Sequence, residues 1–250
     1  MSADTLDQAE FALNRGDAAG AERILTQAWS DITRAPGDAQ HLMASVRMAQ
    51  GRVQEAEQLM RGALNAEPNS LRHNIALGHI LSQQRNDTGA LEAYTRAASI
   101  DPNWPDLNVA ISQSLYRLER FGDAERAAQQ GPVSAASLES LSNALRAQGK
   151  GQEALVAAEN ALRLAGQDPN AQHAKAAALM MLNRPQEALA IFDSLIAQGI
   201  DLPVLYMNRG AALEALGRKA DARGVYEDAA RRWPSLPHLQ DRVAEARKRV

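Results

Sequence analysis

The chain has 250 residues, with 27 basic and 30 acidic side chains for a net charge of −3, and no cysteine. That near balance argues against a general nucleic-acid or membrane-surface binder, and the missing thiols exclude disulfides, thiolate zinc sites and cysteine nucleophiles. No apolar run approaches the roughly 18 residues needed to cross a bilayer, and the opening MSADTLDQAEF lacks the basic-then-apolar pattern of a secretory signal, so a cytoplasmic protein is expected.

Aromatic residues make up only 4% of the chain, while alanine, leucine, glutamate, glutamine and arginine dominate. These are strong helix formers, so an all-helical fold is expected. Reading from the N-terminus, an alanine recurs after a turn: Ala21, Ala56, Ala90, Ala124, Ala154, Ala188 and Ala222. The intervals are 35, 34, 34, 30, 34 and 34 residues. Each alanine follows a breaker-rich stretch, beginning with RGDAAG and ending with GRKAD. Four residues after most of them stands a larger apolar side chain: Leu25, Met60, Tyr94, Phe192 and Tyr226. Ala128 and Ala158 are the small exceptions. Twelve residues before each anchor stands a small one: Ala9, Ala44, Gly78, Ser112, Ser142, Ala176 and Gly210.

Each period therefore reads as helix, turn, helix, turn. In the third, Ile75, Leu77 and Leu81 mark the first helix, and Leu91, Tyr94 and Ala98 the second. Small residues at the contact let two helices approach to about 8–10 Å. A helix of about 14 residues is marginal alone in water. It gains stability by stacking on the next pair, as in a solenoid.

The fourth period is four residues short, because Gly131-Pro132 stops its second helix near ten residues. Either the loop is simply trimmed there without consequence, or the superhelical pitch changes and separates four periods from three. The tail repeats Leu236, Leu239, Val243, Ala246 and Val250 at spacings of 3 and 4, an amphipathic helix suited to cap the stack.

The Gly78, Ala90, Tyr94, Ala97 and Pro102 spacing and its copies resemble the tetratricopeptide repeat family over nearly the whole chain. The resemblance implies a right-handed α-solenoid of about seven helix-turn-helix units at 2–36, 37–70, 71–104, 105–134, 135–168, 169–202 and 203–236. Residues 237–250 would form the C-terminal capping helix.

The sequence carries no recognisable chemistry. Gly149-Lys150-Gly151 lacks the earlier glycine and the hydroxyl of a phosphate loop. The five histidines show no metal-ligand spacing, though His41 and His79 should stand on neighbouring first helices. No nucleophile elbow or paired-carboxylate cleft is visible. No enzyme activity, cofactor or metal is expected.

By the resemblance, first helices line a concave groove where partners dock. Register places Leu13, His41, Ser45, Met48, Ile75, His79, Val109, Gln113, Tyr116, Asn143, Arg146, His173, Met180 and Met207 there. Its methionine, aliphatic and tyrosine content suits an apolar or amphipathic peptide. The competing reading is that Leu13, Ile75 and Val109 pack between helices. The lysine and asparagine set of chaperone-binding clamps is absent, since Glu139 stands where the first lysine would be. The asparagine ladder of some glycosyltransferases is absent too.

Residues 1–70 carry −4 and residues 203–250 carry +4, a polarity that favours weak head-to-tail self-association. The expected function is a non-catalytic scaffold that binds a peptide or protein. The alternative is the substrate-recruiting N-terminal region of a larger bacterial enzyme, since such arrays resemble those preceding 2-oxoglutarate/iron oxygenases, sulfotransferases and glycosyltransferases.

Overall fold

The computed structural model describes residues 2–248; Met1, Arg249 and Val250, the last expected in the capping helix, lie outside them. Among the described residues there are fifteen α-helices, one short 3-10 turn and no strand. They form two compact units, 1–120 and 121–250.

The first unit contains α1 (Ser2–Asn14), α2 (Ala18–Ala28), a 3-10 turn (Ile32–Arg34), α3 (Gly37–Ala49), α4 (Val53–Ala66), α5 (Leu71–Gln83), α6 (Asp87–Ile100) and α7 (Leu107–Arg117). The second contains α8 (Phe121–Gln129), α9 (Ala135–Ala147), α10 (Gly151–Ala165), α11 (Pro169–Met181), α12 (Pro185–Ala197), α13 (Pro203–Ala215), α14 (Lys219–Arg232) and α15 (Pro237–Lys248). The division falls at 120/121, inside the expected 105–134 unit, where α8 begins.

All seven anchor alanines are fully buried. The small residue twelve positions earlier explains why. A Cβ on Gly78 would lie 2.4 Å from the Tyr94 ring, so α5 and α6 touch backbone to aromatic face. At the equivalent place Ser142 donates its hydroxyl to the carbonyl of Ala154, 2.8 Å away, and so satisfies a buried polar group at the α9–α10 contact.

The turns share one mechanism. Five residues before each anchor the backbone is left-handed, at Gly16, Gly51, Arg85, Glu119, Gly149, Asn183 and Gly217. The residue that follows donates its amide back to a carbonyl five positions earlier, as Asn86 does to Leu81 and Arg184 to Leu179. This is the helix-ending geometry that satisfies otherwise orphaned carbonyls. Two of the new helices start on side-chain caps, Asp17 accepting from the Gly20 amide and Asn86 from the Gly89 amide, whereas α4, α10, α12 and α14 start without one. Proline takes the first helical position in α11, α12 and α13, where its missing amide costs nothing.

Each unit has its own apolar core. In the first, Leu25, Met43, Met60 and Leu81 are almost completely buried. In the second, Phe192, Leu195, Leu213 and Tyr226 are. The tail helix α15 buries Leu239, Val243 and Ala246 against this second core, the apolar stripe expected of a cap. Among the described residues no helix is long and apolar enough to cross a membrane.

Candidate functional site

In the first unit, α3 and α5 run as neighbouring first helices and present residues at helical spacing on one face. His41, Ser45 and Met48 come from α3, and Ile75 and His79 from α5. These five sequence-predicted residues line one open cavity of about 400 Å³. Met60, from α4, forms part of its lining. Arg72 and Trp104 complete it, and Trp104 keeps 43% of its surface exposed.

Sequence reasoning missed Arg72 and Trp104. Arg72 lies three and seven residues before Ile75 and His79, on the same helical stripe, so the register could have found it. Trp104 sits outside helical periodicity, in the loop between two prolines, and its signal was composition: a large aromatic in a polar turn.

The cavity wall mixes apolar and polar side chains, Gln83 among the latter, and carries Arg72 as its charged group. Burial pushes the His41 imidazole down to about 4, helped by nearby Arg72 and His73. Its Nδ1 is buried and has no hydrogen-bond partner. The His73 ring stands 5.6 Å away, and burial also lowers its pKa. Both rings are therefore neutral near pH 7. His79 is exposed on the wall and meets Tyr94 edge-on at 5.5 Å. The Tyr94 hydroxyl is pushed up to about 12 by burial. The wall thus offers methionine, isoleucine and indole surface with neutral imidazoles, and Arg72 as its cation.

The other candidates on the first unit separate. Leu13 is partly buried against the core. Val109, expected on the groove, is instead buried with only 8% of its surface exposed. It lies in the first turn of α7, directly after the 101–106 loop, so packing and not contact accounts for it. Gln113 is exposed and Tyr116 partly so, but neither lines the cavity.

In the second unit Asn143, Arg146, His173, Met180 and Met207 are all partly exposed. His173 Nε2 lies 2.9 Å from the side-chain amide nitrogen of Asn208, joining α11 to α13. Burial and Arg146 lower the His173 pKa. Glu139 is half-buried, and its carboxyl is pushed up to about 7 by burial and by the neighbouring Asp168 carboxylate. Asp168 itself caps α11 by accepting from the Ala171 amide. Among the described residues no group of three or more histidine, aspartate or glutamate side chains could hold a metal ion.

Four models of the tetratricopeptide repeat match the chain, at residues 12–80, 74–103, 134–167 and 173–237. The chain belongs to the tetratricopeptide repeat family. The helix pairs within those spans are tetratricopeptide units, and the fold is the all-α solenoid of that family. None of the curated proteins matches the sequence. Among solved structures, a tetratricopeptide repeat protein from Parabacteroides merdae ATCC 43184 is similar with a TM-score of 0.82. It shares 15% identity, over 97% of this chain and 97% of that one. A chain of the APC/C hetero-tetramer Cut9-Hcn1 gives 0.76 at 13% identity, over 95% of this chain and 48% of that one. PilW, a type IV pilus biogenesis factor, gives 0.71 at 17% identity, over 82% of this chain and 97% of that one. At these identities the likeness is one of fold.

Proposed function

We propose that this tetratricopeptide repeat chain is a non-catalytic scaffold that holds a peptide or protein segment on its first-helix face. The observation that carries the proposal is the cavity between α3 and α5, where His41, Ser45, Met48, Ile75 and His79 converge with Trp104. Its volume of about 400 Å³ lies in the range of clefts that take one or two large side chains of a ligand. Methionine adapts to irregular shapes, and the indole gives rigid apolar area at low entropic cost. Neutral His41 avoids placing an unpaired charge against an apolar ligand. Family membership points the same way, since tetratricopeptide repeats generally serve as protein-binding scaffolds.

The test is affinity capture with the full chain as bait, beside a Met48→Glu, Ile75→Glu variant. Captured proteins should be lost from the variant while its far-ultraviolet circular dichroism stays unchanged. Equal capture by both would refute the placing of the contact surface.

A further inference from the structure

The short helix α8 has a second consequence, on the other side of the second unit. In three helix pairs the residue sixteen positions before the anchor alanine is an amide that ties down the preceding loop. Gln40 donates to the Thr33 and Ala35 carbonyls, Asn74 to those of Pro68 and Ser70, and Gln172 to that of Gln167. At the matching place of α9 stands Leu138, which can donate nothing. Three residues on, α11 carries Lys175 where α9 carries Leu141. The helix before α9 is also cut short: α8 has 9 residues, while α4, α6, α10, α12 and α14 have 13 to 15.

Together these departures open an apolar slot of about 360 Å³ between α8 and α10. Leu138, Leu141 and Leu145 form its floor, Val156 is 47% exposed on one side, and Gln129, the last residue of α8, stands at its rim. The corresponding groove one pair later is lined by Gln172 and Lys175, so the leucine floor belongs to this pair and not to the repeat as such.

We propose that this slot docks a basic amphipathic helix from another protein. The helical shape follows from the floor. Leu138, Leu141 and Leu145 are spaced by 3 and 4, a ridge that a second helix meets ridge into groove. The chain itself supplies about one helical turn less there than in the pairs closed by α4, α6, α10, α12 and α14, and two residues less than in α2. The basic character follows from the rim. Glu125 and Glu153 flank the slot, and the remaining polar rim is neutral amide. Glu125 already pairs with Lys150 at 2.7 Å, whereas Glu153 has no ion pair among the described residues. A lysine or arginine beside the docked apolar stripe would give Glu153 its partner.

The experiment uses the full chain and a fluorescein-labelled synthetic helical peptide with leucines along one face and lysines beside them. Two control peptides replace the lysines by glutamates or scramble the leucines. Fluorescence anisotropy should show saturable binding of the first peptide and binding at least about tenfold weaker for both controls. Leu138→Gln, which restores the amide found in other pairs, should weaken binding about tenfold. Val156→Gln, at an exposed position, should weaken it as well and serves if Leu138→Gln does not fold. Glu153→Lys should weaken it too, and Met48→Lys in the first unit should leave it unchanged. The proposal is overturned by no binding of the lysine peptide or by equal binding of the glutamate peptide. Full affinity in both slot variants overturns it, and so does loss confined to Met48→Lys. Self-association of the wild type that Leu138→Gln abolishes would make a second copy the occupant and equally overturn it.

Discussion

Gly210 and Tyr226 stand so close that a Cβ on the glycine would lie 2.2 Å from the tyrosine ring. The ring is fully buried, so it cannot swing away. Gly210→Ala gains helix propensity but must push a packed aromatic aside. Overpacking of this kind costs about 1–3 kcal/mol, against about 1 kcal/mol gained from propensity. We expect a net loss of up to about 2 kcal/mol. Gly224, in the middle of α14, has open space where its Cβ would go. Gly224→Ala should stabilise by about 0.5–1 kcal/mol. Chemical denaturation of both variants checks the pair, and a shift of the same sign in both would contradict the packing argument.

The Gly210–Tyr226 contact is legible in the sequence, because a small residue and a large one sixteen positions apart recur with the repeat. The same holds for the buried anchor alanines and for α15, whose apolar stripe follows helical spacing. Other features are not legible there. Trp104 reaches the cavity from a loop, and loops carry no period to read. Val109 occupies the same register as His41 and Ile75, yet it is buried, because the start of α7 and not the repeat decides its exposure. The missing four residues mark the fourth period as different, but not where compact units meet; that boundary falls at 120/121, where the short helix begins.

The left-handed turn position makes a second prediction. Glycine fills it at Gly16, Gly51, Gly149 and Gly217, but Arg85 and Glu119 hold φ of 62° and 59°. A side chain there meets its own backbone and costs about 1–2 kcal/mol, while glycine brings a larger unfolded-state entropy of about 0.5–1 kcal/mol. Arg85→Gly and Glu119→Gly should each stabilise by about 0.5–1 kcal/mol. A rise of a few degrees in melting temperature is the readout. A fall would mean that the side chains make contacts worth more than the strain.

His41 in the first unit and Glu139 in the second should respond to pH in opposite directions, with His173 of the second unit acting in the same sense as His41. His41 falls from an ordinary 6.5 to about 4 in the folded state. Between these values the unfolded chain binds the proton and the folded one does not. Stability from this group is therefore complete above about pH 6.5 and is lost as pH falls toward 4, by up to about 3 kcal/mol at 1.36 kcal/mol per unit. Glu139 rises from 4.5 to about 7, so here the folded state holds the proton longer. Its contribution is greatest below about 4.5 and declines as pH rises toward 7, and solvent screening of this half-buried group makes it smaller than that of His41. Hydrogen exchange across this range should show α3 and α5 losing protection on acidification and α9, which carries Glu139, losing it on the way up. His41→Asn and Glu139→Gln should each flatten the slope of its own unit alone. A slope unchanged by either substitution would assign the pH response to other groups.

The cap offers the last prediction. Arg242 of α15 donates to Glu214 of α13 at 2.9 Å and to the Tyr226 hydroxyl of α14 at 2.9 Å. It also pairs with Glu245 at 3.0 Å, and its guanidinium lies 5.0 Å above the Tyr226 ring. One side chain thus joins three helices, and the ring it covers is the one pressed against Gly210. Surface ion pairs alone are worth little, but this guanidinium is about a quarter exposed and combines charge, donors and stacking. Arg242→Ala should cost about 1–2 kcal/mol and act locally. Amide exchange should accelerate in α15 and in the last turns of α14, with α11 and α12 unchanged. Arg242→Lys should recover little, since an ammonium cannot cover the ring and reach both acceptors. Full recovery by lysine would reduce the role of Arg242 to charge, and unchanged exchange in Arg242→Ala would leave Leu239, Val243 and Ala246 to hold the cap by burial alone.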